Sequence, residues 1–191
     1  MPFLITIVGS MHPDLAAVAA DFESASQRLD ALERALSSEQ WTRRPEAHGW
    51  SAIECIQHLN LTADATLPRV RAGIAEARRA GTAAPRRYRR DVFGWLLWRG
   101  LRKPGRFKTK TPPAFVPGAH LPVAGILEMF RRLQDDHLAC VRDSEGLAID
   151  RVRMASPFNE RVRYSVYSAL TILAVHQHRH LWQAEQASRL R

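Results

Sequence analysis

Four segments of this chain place apolar residues at spacings of three and four, as a helix with one buried face requires. The first opens at Pro13 and Asp14 and carries Leu15, Val18, Phe22, Leu29, Leu32 and Leu36, which predicts a helix to about Ser38. The second starts at Ser51, which forms a capping-box signature with Glu54. Its stripe through Ile56, Leu59, Ala63, Val70 and Ile74 predicts a helix to about Ala80, with Pro68 the place for any kink. Pro122 starts the third, with Val123, Ile126, Leu127, Phe130, Leu133, His137 and Val141 inward and Gly146 placed to stop it. After a loop through Pro157, the fourth runs from about Ser165 to the end on Val166, Ala169, Leu173, His176, His180 and Ala184. The fold class is therefore all-α, a four-helix bundle.

Between the second and third segments lies Gly81 to His120, about forty residues rich in Pro, Gly and basic side chains. A connection of that length inside a compact domain needs a reason. Antiparallel neighbours need only short loops, whereas parallel helices need a segment that travels back along the bundle. The second and third helices are thus expected to run parallel around a long crossover. From Arg86 to Lys110 this crossover carries ten Arg or Lys against the single acid Asp91, which holds the whole net charge of +9.

The 191 residues suffice for one domain with a substantial core and are too few for two full-sized ones. Hydrophobic and charged fractions of 46% and 25% match an ordinary globular protein and exclude the disordered class. The apolar opening Phe3 to Val8 is too short for a transmembrane helix and lacks the flanks of a signal peptide. Because Met11 directly precedes a strong helix start, residues 1–10 read as an arm or an overextended start. Cys55 and Cys140 provide no disulfide framework and suit a reducing compartment, so a cytoplasmic location is expected.

The fourth stripe carries the chemistry. His176 and His180 occupy successive core-facing positions, with His178 on the opposite side, and imidazoles four apart on a helix can converge on one ion. A catalytic metal usually has three protein ligands and one open position. The best third ligand is His58, beside the apolar stripe of the second helix. The blander reading keeps all three as hydrogen-bonded core or surface histidines. His137 reads as a core histidine, and His12, His48 and His120 fall at element boundaries without a role.

The segment His48-Gly-Trp-Ser-Ala-Ile-Glu-Cys-Ile-Gln-His58-Leu59 resembles the second-helix motif of the DinB/YfiT-like superfamily. His176-Gln-His-Arg-His180-Leu-Trp-Gln183 resembles its fourth-helix motif, and Lys108-Thr-Lys-Thr-Pro-Pro-Ala-Phe-Val-Pro117 its connecting segment. The resemblance implies an up-down-down-up bundle with a metal triad on His58, His176 and His180. It further implies a metal-dependent hydrolase, or a transferase or isomerase using a low-molecular-weight thiol.

A metal at such a site would lower the pKa of a bound water or hold a thiol as thiolate at its open position, and nitrogen ligands alone admit Zn, Ni, Fe or Mn. Catalytic candidates are Glu54, which its capping position also explains, and Gln183, which the polar edge of the core also explains. Cys55 reads as a small buried apolar residue. The partner expected is a small-molecule substrate, with a homodimer the commonest oligomer open to such a bundle. One rival is a non-enzymatic protein using Arg86 to Lys110 on nucleic acid or an anionic membrane; another is a bundle in which the metal is only a staple. No nucleic-acid motif accompanies the charge, so the preferred reading is a crossover pinned by its aromatics, its arginines solvated or attracting an anionic substrate.

Overall fold

The computed structural model describes residues 11–45, 49–102, 111–118 and 122–189. The possible arm at 1–10, His48, His120 and the cations from Lys103 to Lys110 lie outside the described residues. The chain is mostly helical, with six α-helices and one small two-stranded sheet among the described residues.

Helix α1 (Pro13–Ala35) begins where the His12 ring accepts the Asp14 N–H at 3.2 Å, with Pro13 in the first turn. It ends three residues earlier than its stripe suggested. Leu36 turns extended, and Ser37 with Gln40 forms a capping box that starts a separate short helix, α2 (Ser38–Thr42), which buries Trp41. Two good hydroxyl-and-amide caps outweigh one more turn of a continuous stripe.

Helix α3 (Ala52–Ala80) is capped by Ser51 and Glu54 as expected. It runs through the exposed Pro68 and ends at Gly81, whose φ of +63° a side chain would resist. Helix α4 (Val92–Leu101) and a 3-10 turn at Pro113–Phe115 lie in the stretch expected as an irregular crossover. Helix α5 (Val123–Asp143) follows Pro122, and the chain reverses at Gly146 with φ +76°. In place of the expected plain loop, strands β1 (Arg153–Ala155) and β2 (Arg163–Ser165) pair antiparallel, Met154 opposite Tyr164. Helix α6 (Val166–Arg189) continues directly from β2.

The four long helices pack around a square, α1 against α5 and α6, and α3 against the same two. Their contacts form two apolar clusters, one around Phe22, Leu67, Val70 and Leu170, the other around Leu29, Trp41, Ile56, Phe130 and Leu181. Between them each helix contributes polar groups. Gln177 donates to Gln134 at 2.6 Å, Gln134 donates to the Phe22 carbonyl at 2.8 Å and Ser26 at 3.0 Å, and Asn60 donates to the Ile126 carbonyl at 2.8 Å. Such a belt fixes helix register, because sliding one helix by a turn would strand these groups without partners.

His137 sits in this region, stacked on Phe22 at 4.6 Å, and neither ring nitrogen has a hydrogen-bond partner. Burial pushes the ring down to about 4, so it is neutral at pH 7. The unfolded chain protonates this ring near pH 6.5 and the folded one only near 4, so stability is lost as pH falls through that window. His137→Leu is therefore expected to stabilise by about 1 kcal/mol at pH 8 and by more at pH 5, read as the shift in chemical unfolding midpoint. An equal shift at both pH values would show that the ring gains no proton on unfolding.

The crossover is tied down at three points. Ala84 and Ala148 bond to Gly146 and Thr82 across an isolated bridge, and Tyr88 donates its hydroxyl to the Leu147 carbonyl at 2.6 Å while its N–H bonds Asp14 at 2.8 Å. Asp91 is the third point. Its carboxylate caps α4 through the Gly94 N–H at 3.2 Å, and also accepts the Ser165 N–H at 2.7 Å and the Ser168 hydroxyl at 2.8 Å. The lone acid of the basic stretch is the pin that holds α4 to the start of α6. Of the crossover's aromatics, Tyr88 and Phe115 are buried, Tyr88 stacking on Tyr167 at 5.0 Å, and Trp98 is half-buried, whereas Phe93 and Trp95 are exposed, so aromatic packing and hydrogen bonds share the pinning.

Candidate metal centre

Helix α3 presents His58 two turns from its N-terminus, and α6 presents His176 and His180 on adjacent turns of the face toward α3. His58 and His180 are buried and His176 is partly exposed. One ring nitrogen from each lies within 4.8 Å of the others, an arrangement that could hold a metal ion.

The rings are oriented, not merely near. The His58 Nδ1 lies 2.7 Å from the Phe115 carbonyl, which can only accept, so Nδ1 carries the proton and Nε2 keeps its lone pair. That Nε2 faces the His176 Nε2 at 3.3 Å. Two nitrogens each about 2.05 Å from one tetrahedral ion lie about 3.3 Å apart, so the spacing suits a shared ion. The His180 Nδ1 is buried with no partner, an orphan of the kind a ligand explains. The donor set therefore fits a divalent ion on its own geometry.

Electrostatics agree. Burial, partly offset by the Phe115 carbonyl, lowers the His58 ring. Burial, then the neighbouring His58 and Arg179, bring His176 down to about 3, and burial followed by His176, His58 and Arg179 holds His180 well below its ordinary value. All three rings are neutral at pH 7, so their lone pairs are available without displacing protons.

The surroundings are aromatic. Trp50 lies 4.9 Å from the His58 ring and 6.0 Å from His180, and Phe115 packs on Phe158 at 4.3 Å. Gln183 stands one turn past His180 on α6, where its side chain acts to raise the His180 ring against the burial. Both Glu54 oxygens are occupied, by the Ser51 N–H at 2.8 Å and by Arg44, whose Nε lies 3.0 Å away. The Cys55 thiol is pushed up to about 12 by burial and then by Glu54, so it is a neutral apolar neighbour. His178 turns away as expected, contacting Arg28 at 3.1 Å and the Asp21 carbonyl at 3.1 Å on α1. His12 serves as the cap of α1.

Sequence reasoning did not find the Phe115 carbonyl or the Trp50 ring as parts of this site. The first is backbone, which every residue carries, so only the rigid Pro112-Pro113 approach to the turn hinted that something is being positioned there. Trp50 stood inside the quoted motif without a role.

A family model described as the DinB superfamily matches residues 21–184. This chain belongs to the DinB superfamily. The match spans α1 to α6 and includes all three histidines. No curated protein and no solved structure matches the chain.

Proposed function

We propose that this DinB-superfamily chain is a metal-dependent enzyme, a hydrolase or a thiol S-transferase, with one divalent ion held by His58, His176 and His180. The observation that carries the reading is the convergence of three neutral imidazoles, one of them fixed by the Phe115 carbonyl and one with an orphaned buried nitrogen. An ion so held would act as a Lewis acid toward a water or thiol at its open position. All-nitrogen donation suits Zn, Ni, Fe and Mn alike.

The chain's own groups then divide the work. The Phe115 carbonyl orients His58, Gln183 stands beside His180, and the Trp50 ring dries one side of the site. Glu54 serves as a cap and ion-pair partner, with no proton transfer assigned to it. The architecture assumed is one domain, a four-helix bundle in up-down-down-up order with α3 and α5 parallel around the crossover, which the square packing of the long helices supports. Two free buried cysteines suit a cytoplasmic setting.

Plasma mass spectrometry on protein purified without an affinity tag should find close to one divalent ion per chain. Metal-free protein that takes up none of Zn, Ni, Fe or Mn on titration would overturn the metal site. Ion-dependent turnover of a thiol with an electrophile, or of an ester, is the expected second result. Tight metal with no turnover across both substrate classes would leave the ion as a staple and overturn the enzymatic part.

A further inference from the structure

Helix α4 docks on α6 through Gly94, where a Cβ would collide with Ser168, and Trp98 and Leu101, on the same face at helical spacing, are half-buried. A surface helix normally turns polar residues outward. This one exposes Val92 by 73%, Phe93 by 55%, Leu96 by 53%, Trp95 by 44% and Leu97 by 41%. No other described helix carries so dense a group of exposed large apolar side chains. A contiguous apolar patch of this kind marks an interaction surface.

The rim of the patch is cationic. Arg99 lies over the Trp95 ring at 5.5 Å and Arg102 over Trp98 at 4.6 Å, both exposed. Exposed Arg86, Arg87 and Arg89 line an open depression with His12, Asp14 and Pro85 just ahead of α4. The sequence continues past α4 with four more cations to Lys110, outside the described residues. No described helix is long and apolar enough to cross a membrane.

We propose that α4 and its arginine rim dock the protein onto an anionic lipid bilayer, α4 lying in the interface. Phe93, Leu96 and Trp95 enter the headgroup and acyl boundary, and Arg86, Arg87, Arg89, Arg99 and Arg102 meet the lipid phosphates. Charge decides among occupants. A second copy related by a twofold axis would set this arginine cluster against itself. Nucleic acid would satisfy the arginines but leave aliphatic Val92, Leu96 and Leu97 with nothing to bury them. A bilayer with anionic headgroups meets both parts of the surface.

The full chain should co-sediment with vesicles of phosphatidylglycerol and phosphatidylcholine in equal parts, and at least tenfold more weakly with phosphatidylcholine alone or in high salt. The variants Arg86→Gln/Arg87→Gln/Arg89→Gln and Phe93→Ser/Leu96→Ser change exposed positions, and unaltered circular dichroism would show that each still folds. Each should weaken binding about a hundredfold. Absence of vesicle binding, equal binding to neutral vesicles, or binding untouched by Phe93→Ser/Leu96→Ser would overturn the proposal. A dimer abolished by Phe93→Ser/Leu96→Ser, without vesicle binding, would assign the patch to a second copy. Duplex DNA binding lost only in the arginine variant, again without vesicle binding, would assign it to nucleic acid.

Discussion

Alanine at both His176 and His180 is expected to bring the metal content of the purified protein to background, and alanine at His58 alone to do nearly the same. A four-ligand protein zinc site is worth about 10–16 kcal/mol, so one ligand carries about 3 kcal/mol, or two to three orders of magnitude in affinity. The proposed triad holds no fourth protein ligand among the described residues to absorb such a loss. His178→Ala is the control, since His178 bonds to Arg28 and the Asp21 carbonyl on α1, away from the triad. It should keep full metal content. Metal retained without His58, or lost with His178, would replace the buried triad by a surface site on α6. Phe115→Ala should weaken metal binding about 10–100-fold by loosening the carbonyl that orients His58, a smaller effect because the ligand itself remains.

The second large effect falls far from the candidate metal centre. Asp91→Ala is expected to cost about 3 kcal/mol of stability, roughly 10 °C in Tm, because it leaves the Ser165 N–H, the Gly94 N–H and the Ser168 hydroxyl without their acceptor at once. Asp91→Asn should lose less, since it keeps one oxygen and remains a good N-cap. Burial alone would raise the Asp91 carboxyl, but the hydrogen bonds from Ser165, Gly94 and Ser168 outweigh it and hold the carboxyl below its ordinary value. With the folded value below the unfolded one, the contribution is present above about pH 4 and is lost as pH falls through the folded value. The gap in Tm between the parent and Asp91→Ala should therefore close on acidification. Metal content should survive, because Asp91 grips Ser165 at the end of β2 and Ser168 in the first turn of α6, two turns or more from His176. An unchanged Tm in Asp91→Ala would show that the crossover is held by Tyr88 and the Ala83–Leu147 bridge instead.

Where a local signal was also strong, the sequence was legible. Ser51 with Glu54 marked the start of α3, Gly146 the reversal after α5, and three-four spacing the buried faces of α1, α3, α5 and α6, because caps and periodicity act within one or two turns. The spacing of His176 and His180 belongs to the same class, since helix geometry alone sets side chains four apart side by side.

Other features were hidden because their cause is not local. Helix α4 has apolar residues nearly all round, so its sequence shows no face until α6 meets Gly94, and the fold leaves Trp98 and Leu101 half-buried and the rest to solvent. Strands β1 and β2 are three residues each, too short for alternation to speak, and exist because Met154 and Tyr164 meet across the pair. Asp91 read as one acid among many bases, and only the fold brings it to Ser165 and Ser168.

The sequence by itself thus determined which residues face inward and which histidines share a helix turn, because those follow from the 3.6-residue repeat. Tertiary structure alone decided that His58 meets them, that a backbone carbonyl at Phe115 chooses its tautomer, and which side of α4 remains bare. Those outcomes depend on how helices distant in the chain settle against one another, and no local spacing encodes that.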